Sequence, residues 1–196
     1  MMSNHEIISE RRNQVYTLGS PSCDNHLYIF HGYAQNGADF LKEFQSFSEN
    51  YFVVSIEGTS KFYTKGLFGE VGNSWMTSYN RDGEILDYLD LISKVYSQFS
   101  AGKIIKILGF SQGSQAAARW ANHNLDKIDQ LIMCGGLFPV DVDKENLMDK
   151  SDFVIGVNDS FISKNEQKLL EQTTNKIHLF EGKHELNFSI ISSLLA

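Results

Sequence analysis

One pentapeptide limits the folds open to this chain more than any other segment. Gly109-Phe110-Ser111-Gln112-Gly113 fits the pattern G-x-S-x-G, after an apolar run at 104–108 and before a run of small residues at 114–121. Strand, G-x-S-x-G and helix in that order are typical of the sharp turn that carries a nucleophilic serine. By chance, a chain of this length would show the pattern about 0.07 times. We therefore predict that Ser111 is a nucleophile on a strained backbone, where a helix begins and its free N–H groups favour negative charge.

Short apolar strands alternate with helical segments over most of the chain. Strands are predicted over residues 14–18, 27–30, 51–56, 103–108, 128–134, 152–157 and 176–180. Helices are predicted after a cap at Asn36, over 82–99, after 113, from a capping box at Ser163 and over 188–195. This alternation predicts an α/β fold in a single domain, residues 1–196, with a mostly parallel central sheet of about seven strands and helices on both faces. Ligands of such sheets bind at the carboxyl ends of the strands.

The segment Glu57–Asn80 interrupts the alternation. It combines several glycines with many aromatic side chains and shows neither a helical nor a strand period. The segment is therefore predicted to be a long irregular loop, and loops of that length inside a compact domain usually serve a function.

Charge and hydropathy exclude several classes of function. The 196 residues carry a net charge of -7 with no block of five like charges, which argues against nucleic acids and anionic membrane surfaces as partners. No apolar run approaches the roughly 18 residues of a membrane span. Residues 1–12 are polar, so no signal peptide is predicted and a cytoplasmic protein is expected. Whether two copies pair into a homodimer is left open by the sequence.

The two cysteines predict neither a disulfide framework nor a metal site. Cys134 lies in an apolar run and is expected to be buried, whereas Cys23 lies in a polar segment. The sequence has no C-x-x-C spacing. No metal or cofactor is therefore expected.

A nucleophilic serine needs a base that removes its proton and a carboxylate that orients the base. In this kind of fold the three groups follow the chain order serine, acid, histidine. His184 directly follows the last predicted strand and is favoured as the base over His178, which lies inside that strand. Three other histidines are expected to be ordinary surface residues: His5, His26 and His123.

The favoured acid is Asp159, which lies between a predicted strand and the capped helix that follows it. Aspartate is also common in such turns for structural reasons alone. Asp141 and Asp143, which follow the preceding strand, are weaker alternatives.

Acyl transfer also needs N–H donors aimed at the developing oxyanion. One predicted donor is the backbone N–H of Gln112, and the other is the N–H of Tyr33 in the loop after the second strand. His31, in the same loop, is expected to order the loop rather than to act as a base. Candidates to line an acyl pocket, each equally explained by core or loop packing, are Trp75, Met76, Leu137, Phe138 and Phe161.

Five short motifs resemble the phospholipase/carboxylesterase group of α/β-hydrolases, which includes acyl-protein thioesterases and small bacterial esterases. They are H-G-Y-A-Q-N at 31–36, G-F-S-Q-G at 109–113, G-G-L-F-P at 135–139, G-V-N-D at 156–159 and G-K-H at 182–184. The first of them is equally similar to a related family of small serine hydrolases found in fungi and animals. The resemblance spans residues 26–190 and implies a triad of Ser111, Asp159 and His184 with Tyr33 and Gln112 as the oxyanion hole.

The chain departs from that group at two places near the pocket entrance. Where the group usually has Val-Pro after the acid, this chain has Phe161-Ile162-Ser163, and the loop after Gly32 continues with Tyr-Ala-Gln. A dienelactone hydrolase is not expected, because that related group has cysteine at the position of Ser111. Because both departures lie near the pocket entrance, they bear on which substrate is bound and not on the type of reaction.

The expected function is a serine hydrolase that cleaves carboxylic esters of short to medium acyl chain through an acyl-enzyme. Its expected partner is a small-molecule ester or thioester. A thioesterase or a lysophospholipase would use the same residues and is not separated by the sequence. A non-catalytic binding protein on the same scaffold is the alternative from another class.

Overall fold

A seven-stranded sheet forms the centre of the protein in a computed structural model that describes residues 2–3 and 5–196. Its strands are β1 (Val15–Leu18), β2 (His26–Phe30), β3 (Phe52–Ile56), β6 (Ile105–Phe110), β7 (Ile128–Cys134), β8 (Ser151–Gly156) and β9 (Ile177–Phe180), and a separate hairpin holds β4 (Ser60–Tyr63) and β5 (Val71–Ser74). The helices are α1 (Gly37–Lys42), α2 (Arg81–Phe99), α3 (Gln112–Asn122), α4 (Lys144–Met148), α5 (Lys164–Thr173) and α6 (Phe188–Leu195). All seven predicted strands are confirmed.

The order of the strands across the sheet is β1-β3-β2-β6-β7-β8-β9. Only β1 is antiparallel to its neighbour, and every other pair in this sheet is parallel. The predicted α/β-hydrolase architecture, a mostly parallel sheet of seven strands, is thereby confirmed. Parallel strands place their carboxyl ends at one edge, so the loops that follow β2, β6, β8 and β9 lie at the same edge of the sheet.

Alternate residues of each strand face opposite sides of the sheet, and both sides are covered by helices. Tyr28 and Phe30 of β2 pack in one hydrophobic cluster with buried residues of α2 and α3. Leu27 and Ile29 pack in a second cluster with buried residues of α1 and α6, and Cys134 is buried there as predicted. Because these strands are covered on both faces, their sequences are continuous apolar runs and do not alternate between apolar and polar residues. Among the described helices, none combines the length and apolar character needed to cross a membrane.

The segment predicted as a long irregular loop contains the β4–β5 hairpin instead. Its strands, S-K-F-Y and V-G-N-S, are short and include residues of low strand propensity, so the sequence shows no clear period. The hairpin is fastened to the loop after β2 because the Ala34 N–H donates to the Asn73 carbonyl at 2.9 Å and the Asn73 N–H donates to the Gln35 carbonyl at 2.8 Å. It therefore supports the loop in which one oxyanion donor was predicted.

The prediction that His26 is a surface residue is wrong. Its side chain is buried, and its Nδ1 lies 2.6 Å from the Ser100 hydroxyl while its Nε2 lies 3.0 Å from the Cys23 carbonyl. Since a carbonyl can only accept, Nε2 carries the proton and Nδ1 accepts from Ser100. Burial lowers the pKa of His26 and keeps the ring neutral.

The two weaker candidates for the acid have structural roles. Asp143 caps the short helix α4, where its side chain accepts from the Glu145 N–H. Asp141 binds the buried Arg119 of α3 in a bidentate pair, with Nε–Oδ2 at 2.7 Å and Nη2–Oδ1 at 2.8 Å. The pair joins α3 to the loop after β7, and Arg81 at the start of α2 adds a contact to Asp141 at 3.2 Å.

We expect Asp141→Asn to lower the free energy of unfolding at pH 7 by about 1–3 kcal/mol, because it leaves the buried Arg119 guanidinium without its counter-charge. The hydrogen bonds from Arg119 lower the pKa of Asp141 from 3.8 to about 2. A lowered carboxyl pKa contributes stability that is complete above the ordinary pKa and is lost as the pH falls towards the folded value. The difference between wild type and variant should therefore shrink as the pH falls from 3.8 towards about 2.

Urea titrations of both proteins at pH 7 and through the acid range measure this difference. Asp143→Asn is the matched control, because asparagine caps a helix about as well as aspartate. Equal stability of Asp141→Asn and wild type at pH 7 would contradict the role assigned to the pair.

Candidate active site

The turn between β6 and α3 has the backbone expected of a strained nucleophile position. Ser111 has φ 54° and ψ -120°, and it is one of two non-glycine residues with positive φ in the described part of the chain. A Cβ at Gly113 would lie 2.2 Å from the Phe30 carbonyl oxygen, and one at Gly109 would lie 2.3 Å from the Ser114 Cα. The two glycines are therefore required by the close approach of α3 to the sheet, as the motif predicts.

Ser111, His184 and Asp159 lie in one hydrogen-bonded chain. The Ser111 Oγ is 2.8 Å from His184 Nε2, and His184 Nδ1 is 2.7 Å from Asp159 Oδ2. Asp159 follows β8 and is buried, whereas His184 follows β9. A carboxylate can only accept a hydrogen bond, so it holds the proton on Nδ1 and leaves Nε2 free to accept the Ser111 proton. The three side chains, far apart in sequence, meet at the carboxyl edge of the sheet.

The other histidine weighed as the base is part of a separate pair. His178 Nε2 lies 2.9 Å from Asp152 Oδ1, and Asp152 also accepts from the Gln130 side chain at 2.8 Å. These residues belong to the adjacent strands β9, β8 and β7 and not to the loops beyond them. Among the described residues there are thus two Asp–His pairs, of which one includes a serine.

His31 orders the loop after β2, as predicted. Its ring is buried, its Nδ1 donates to the Gly32 carbonyl at 2.7 Å, and its Nε2 accepts from the Gly58 N–H at 3.0 Å. Both ring nitrogens are thus engaged by the backbone, and burial lowers the pKa of the ring. A neutral imidazole without a free nitrogen cannot act as a base for Ser111.

The N–H groups of the two predicted oxyanion donors differ in their hydrogen bonding from the N–H groups on either side of Tyr33 in the loop after β2. The Gly32 N–H donates to Gln35 Oε1 at 2.6 Å, and the Ala34 N–H is used by the hairpin. Over residues 2–3 and 5–196, no hydrogen bond from the N–H of Tyr33 or of Gln112 is found. Gln112 begins α3, where a backbone N–H has no partner inside the helix. Both N–H groups are thus available, and their role as oxyanion donors stays a prediction.

The side chain of Gln112 has a structural role that sequence reasoning missed. Its Oε1 accepts from the Trp75 N–H at 3.0 Å, and its Nε2 donates to the Met76 carbonyl at 2.9 Å. Trp75 in turn donates from Nε1 to the His31 carbonyl at 2.8 Å. One amide therefore connects the residue after Ser111 to the hairpin and, through it, to the loop that carries Tyr33. In the sequence, the only sign of this role was the glutamine of the G-F-S-Q-G motif at 109–113.

We expect Gln112→Ala to lower kcat by about 10- to 100-fold, because displacement of a positioned group by about 1 Å can cost that much. The backbone N–H of residue 112 remains, so the loss would come from movement of the hairpin and of the Tyr33 loop. Steady-state hydrolysis of p-nitrophenyl butyrate measures the effect. Gln115→Ala, one turn further along α3, is the matched control, and a kcat within twofold of wild type for Gln112→Ala would contradict the expectation.

The candidate pocket residues fall into three environments. The assignment of Trp75 to a pocket is corrected, because its side chain is fully buried in the core and packs against Phe30 and Tyr88. Half-buried positions are held by Met76, Leu137 and Phe138. Phe161 is 76% exposed, and its ring centroid lies 4.5 Å from that of His184.

Comparison with known proteins supports the same fold. The family model described as Serine hydrolase (FSH1) matches residues 22–187. Among solved structures, acyl-protein thioesterase 2 of Zea mays has a TM-score of 0.68 at 12% identity over 93% of this chain and 96% of that one. The Bacillus cereus carboxylesterase has a TM-score of 0.64 at 17% identity over 93% and 91% of the two chains. The Mesorhizobium loti carboxylesterase has a TM-score of 0.67 at 11% identity over 89% of each chain.

At such identities the solved structures are evidence for the α/β-hydrolase fold alone. A search of curated protein sequences found no match to this chain. The family model is therefore the comparison that bears on the chemistry.

Proposed function

The chain belongs to the serine hydrolase (FSH1) family, and from that premise we propose that it is an esterase that cleaves carboxylic esters of short to medium acyl chain. In this proposal Ser111 is the nucleophile, His184 the general base and acid, and Asp159 the group that orients His184. The backbone N–H groups of Tyr33 and Gln112 form the oxyanion hole. The observation that carries the proposal is the unbroken chain of hydrogen bonds from Ser111 Oγ to the Asp159 carboxylate.

The first half of the proposed reaction acylates Ser111. Its Oγ attacks the ester carbonyl carbon while His184 Nε2 takes the hydroxyl proton, and the former carbonyl oxygen becomes an oxyanion. The N–H groups of Tyr33 and Gln112 donate to this oxyanion, and Asp159 stabilises the imidazolium. When the tetrahedral intermediate collapses, the ester C–O bond breaks and the alcohol leaves with the proton from Nε2. The product is an acyl-enzyme on Ser111.

The second half releases the acid. A water molecule gives a proton to His184 Nε2 as its oxygen adds to the acyl carbon, and the second tetrahedral intermediate collapses back to free Ser111 and a carboxylic acid. Three half-buried apolar side chains are proposed to contact the acyl group: Met76, Leu137 and Phe138. Met76 is tied to Gln112, and Leu137 follows Gly136, at which a Cβ would lie 3.1 Å from the Ser111 carbonyl oxygen.

An active-site-directed fluorophosphonate tests the proposal. We expect one covalent adduct per molecule of wild-type protein by intact-mass measurement, located on the peptide that contains Ser111 and absent from Ser111→Ala. Ser114→Ala is a control for the loss of a nearby hydroxyl, because Ser114 Oγ instead donates to the Ser111 carbonyl at 2.6 Å. Wild-type protein that forms no adduct, or Ser111→Ala that labels equally well, would favour a non-catalytic binding protein.

A thioesterase is the second candidate, and one of the solved structures that share the fold is an acyl-protein thioesterase of Zea mays. The two reactions share the nucleophile and the base but differ in the leaving group, which is a thiol instead of an alcohol. Comparison of kcat/KM for p-nitrophenyl butyrate, a longer-chain ester and an acyl thioester distinguishes them. A thioester preferred over the esters would assign the chain to thioester cleavage.

A further inference from the structure

Phe161 is an exposed apolar residue in direct contact with His184. Its ring is 76% exposed, and its centroid lies 4.5 Å from the imidazole centroid with the planes at 50°. Phe110 packs against the same imidazole, with ring centroids 5.0 Å apart, but it is half-buried and so less exposed than Phe161. A large exposed apolar ring beside a reacting group offers a surface to a ligand.

The backbone of Phe161 ties its ring to the site. The Phe161 N–H donates to Asp159 Oδ1 at 2.8 Å, while the other oxygen of that carboxylate holds His184. This hydrogen bond is made by the main chain and survives replacement of the side chain. The ring can therefore be changed without removing a partner from Asp159.

The direction of proton transfer determines which part of a substrate would meet Phe161. In the proposed function His184 Nε2 must deliver its proton to the oxygen of the departing alcohol, so that alcohol lies on the histidine side of Ser111. The acyl group lies on the other side of the reacting carbon, and the carbonyl oxygen points to the N–H donors. The Phe161 ring, which packs against His184, is thus on the side of the leaving group.

We propose that Phe161 is a specificity-determining residue that receives the alcohol part of the ester and favours flat, apolar alcohols such as benzyl or aryl alcohols. The inference rests on the proposed serine esterase function and adds the class of leaving group to it. It also reassigns Phe161 from the acyl pocket predicted from the sequence. Aromatic stacking on an exposed ring selects such an alcohol over a small aliphatic one by about three- to tenfold.

Benzyl butyrate and ethyl butyrate test the proposal because both produce the same butyryl-enzyme. In Phe161→Ala, the ratio of kcat/KM for the benzyl ester to that for the ethyl ester should fall about three- to tenfold. The rate at which the butyryl-enzyme is hydrolysed should not change, because the alcohol has already left. Leu169→Ala removes another exposed apolar side chain, 64% exposed on α5, and should leave the ratio at the wild-type value.

Each other outcome has a definite meaning. If wild type hydrolyses both esters and Phe161→Ala leaves the ratio unchanged, the leaving-group role is wrong while the esterase function stands. Equal losses for both esters and for hydrolysis of the butyryl-enzyme would show that the ring only positions His184, which also overturns the proposal. If wild type neither hydrolyses p-nitrophenyl butyrate nor reacts with a fluorophosphonate, the esterase function fails, and the inference that rests on it fails as well.

Discussion

Replacement of His184 by alanine is expected to lower kcat for ester hydrolysis by about 10⁶-fold. The Ser111 hydroxyl has His184 Nε2 as its acceptor at 2.8 Å, and without it the proton has no base to receive it during attack. The expelled alcohol also loses its proton donor, and the water of the second half loses its base, so both halves of the reaction slow. What remains is the contribution of the N–H donors and of substrate binding. Hydrolysis of p-nitrophenyl butyrate at matched protein concentrations measures the loss.

The chain offers a matched control for this variant. His178 is also held by an aspartate, at 2.9 Å, but it lies within a strand and contacts no serine in the described part of the chain. His178→Ala should therefore keep kcat within about twofold, although it also removes an imidazole that is paired with an aspartate. If His178→Ala lost as much activity as His184→Ala, or if His184→Ala kept wild-type activity, the assignment of the base would be wrong.

Asp159→Asn is expected to lower kcat by about 10⁴-fold while leaving the fold intact. The reason follows from the second contact of this carboxylate, whose Oδ1 accepts the Phe161 N–H at 2.8 Å. In asparagine the carbonyl oxygen takes that N–H, and the NH₂ group then points at His184 Nδ1. Nδ1 must become the acceptor, so Nε2 carries the proton and cannot take one from Ser111. The variant thus holds His184 in the wrong tautomer.

Asp152→Asn makes the same chemical change in the pair with His178 and should leave kcat near the wild-type value. Measurement of kcat and of the thermal midpoint for both variants separates loss of chemistry from loss of structure. A fully active Asp159→Asn would mean that another carboxylate orients His184. Asp141 does not take that role in the structure, because both of its oxygens are bound to Arg119.

The features of the fold that were predicted correctly are those with local signals. Apolar runs bounded by turn residues predicted all seven strands of the sheet, and the capping box at Ser163 is present as predicted. The strained turn at Ser111 was predicted because G-x-S-x-G between a strand and a helix has few other uses. The loop after β8 supplied the acidic candidate, Asp159, and the loop after β9 supplied the basic candidate, His184, in the expected order. These features depend on residues close together in the chain.

The wrong or missing predictions concern polar and aromatic side chains whose partners are far away in sequence. His26 was expected to be an ordinary surface residue, yet it binds Ser100 in the interior. Trp75 was a pocket candidate that core packing explained equally well, and it lies in the core, where it donates to the His31 carbonyl. The segment that contains β4 and β5 was predicted to be irregular. Its short strands are stabilised by pairing with each other and with the loop after β2, and such contacts leave no period in the local sequence.

The order of strands, helices and reactive residues was therefore readable from the linear chain, because strand periodicity, helix caps and tight turns are properties of neighbouring residues. Tertiary structure alone decided which groups meet: Ser111 with His184 across 73 positions, Gln112 with Met76 across 36, and Phe161 with the imidazole. A hydrogen bond or a ring contact depends on distances of a few ångströms between groups that sequence spacing does not determine. The chemistry that the site can perform was suggested by local motifs, and the geometry that would let it occur arises from the packing of the whole sheet.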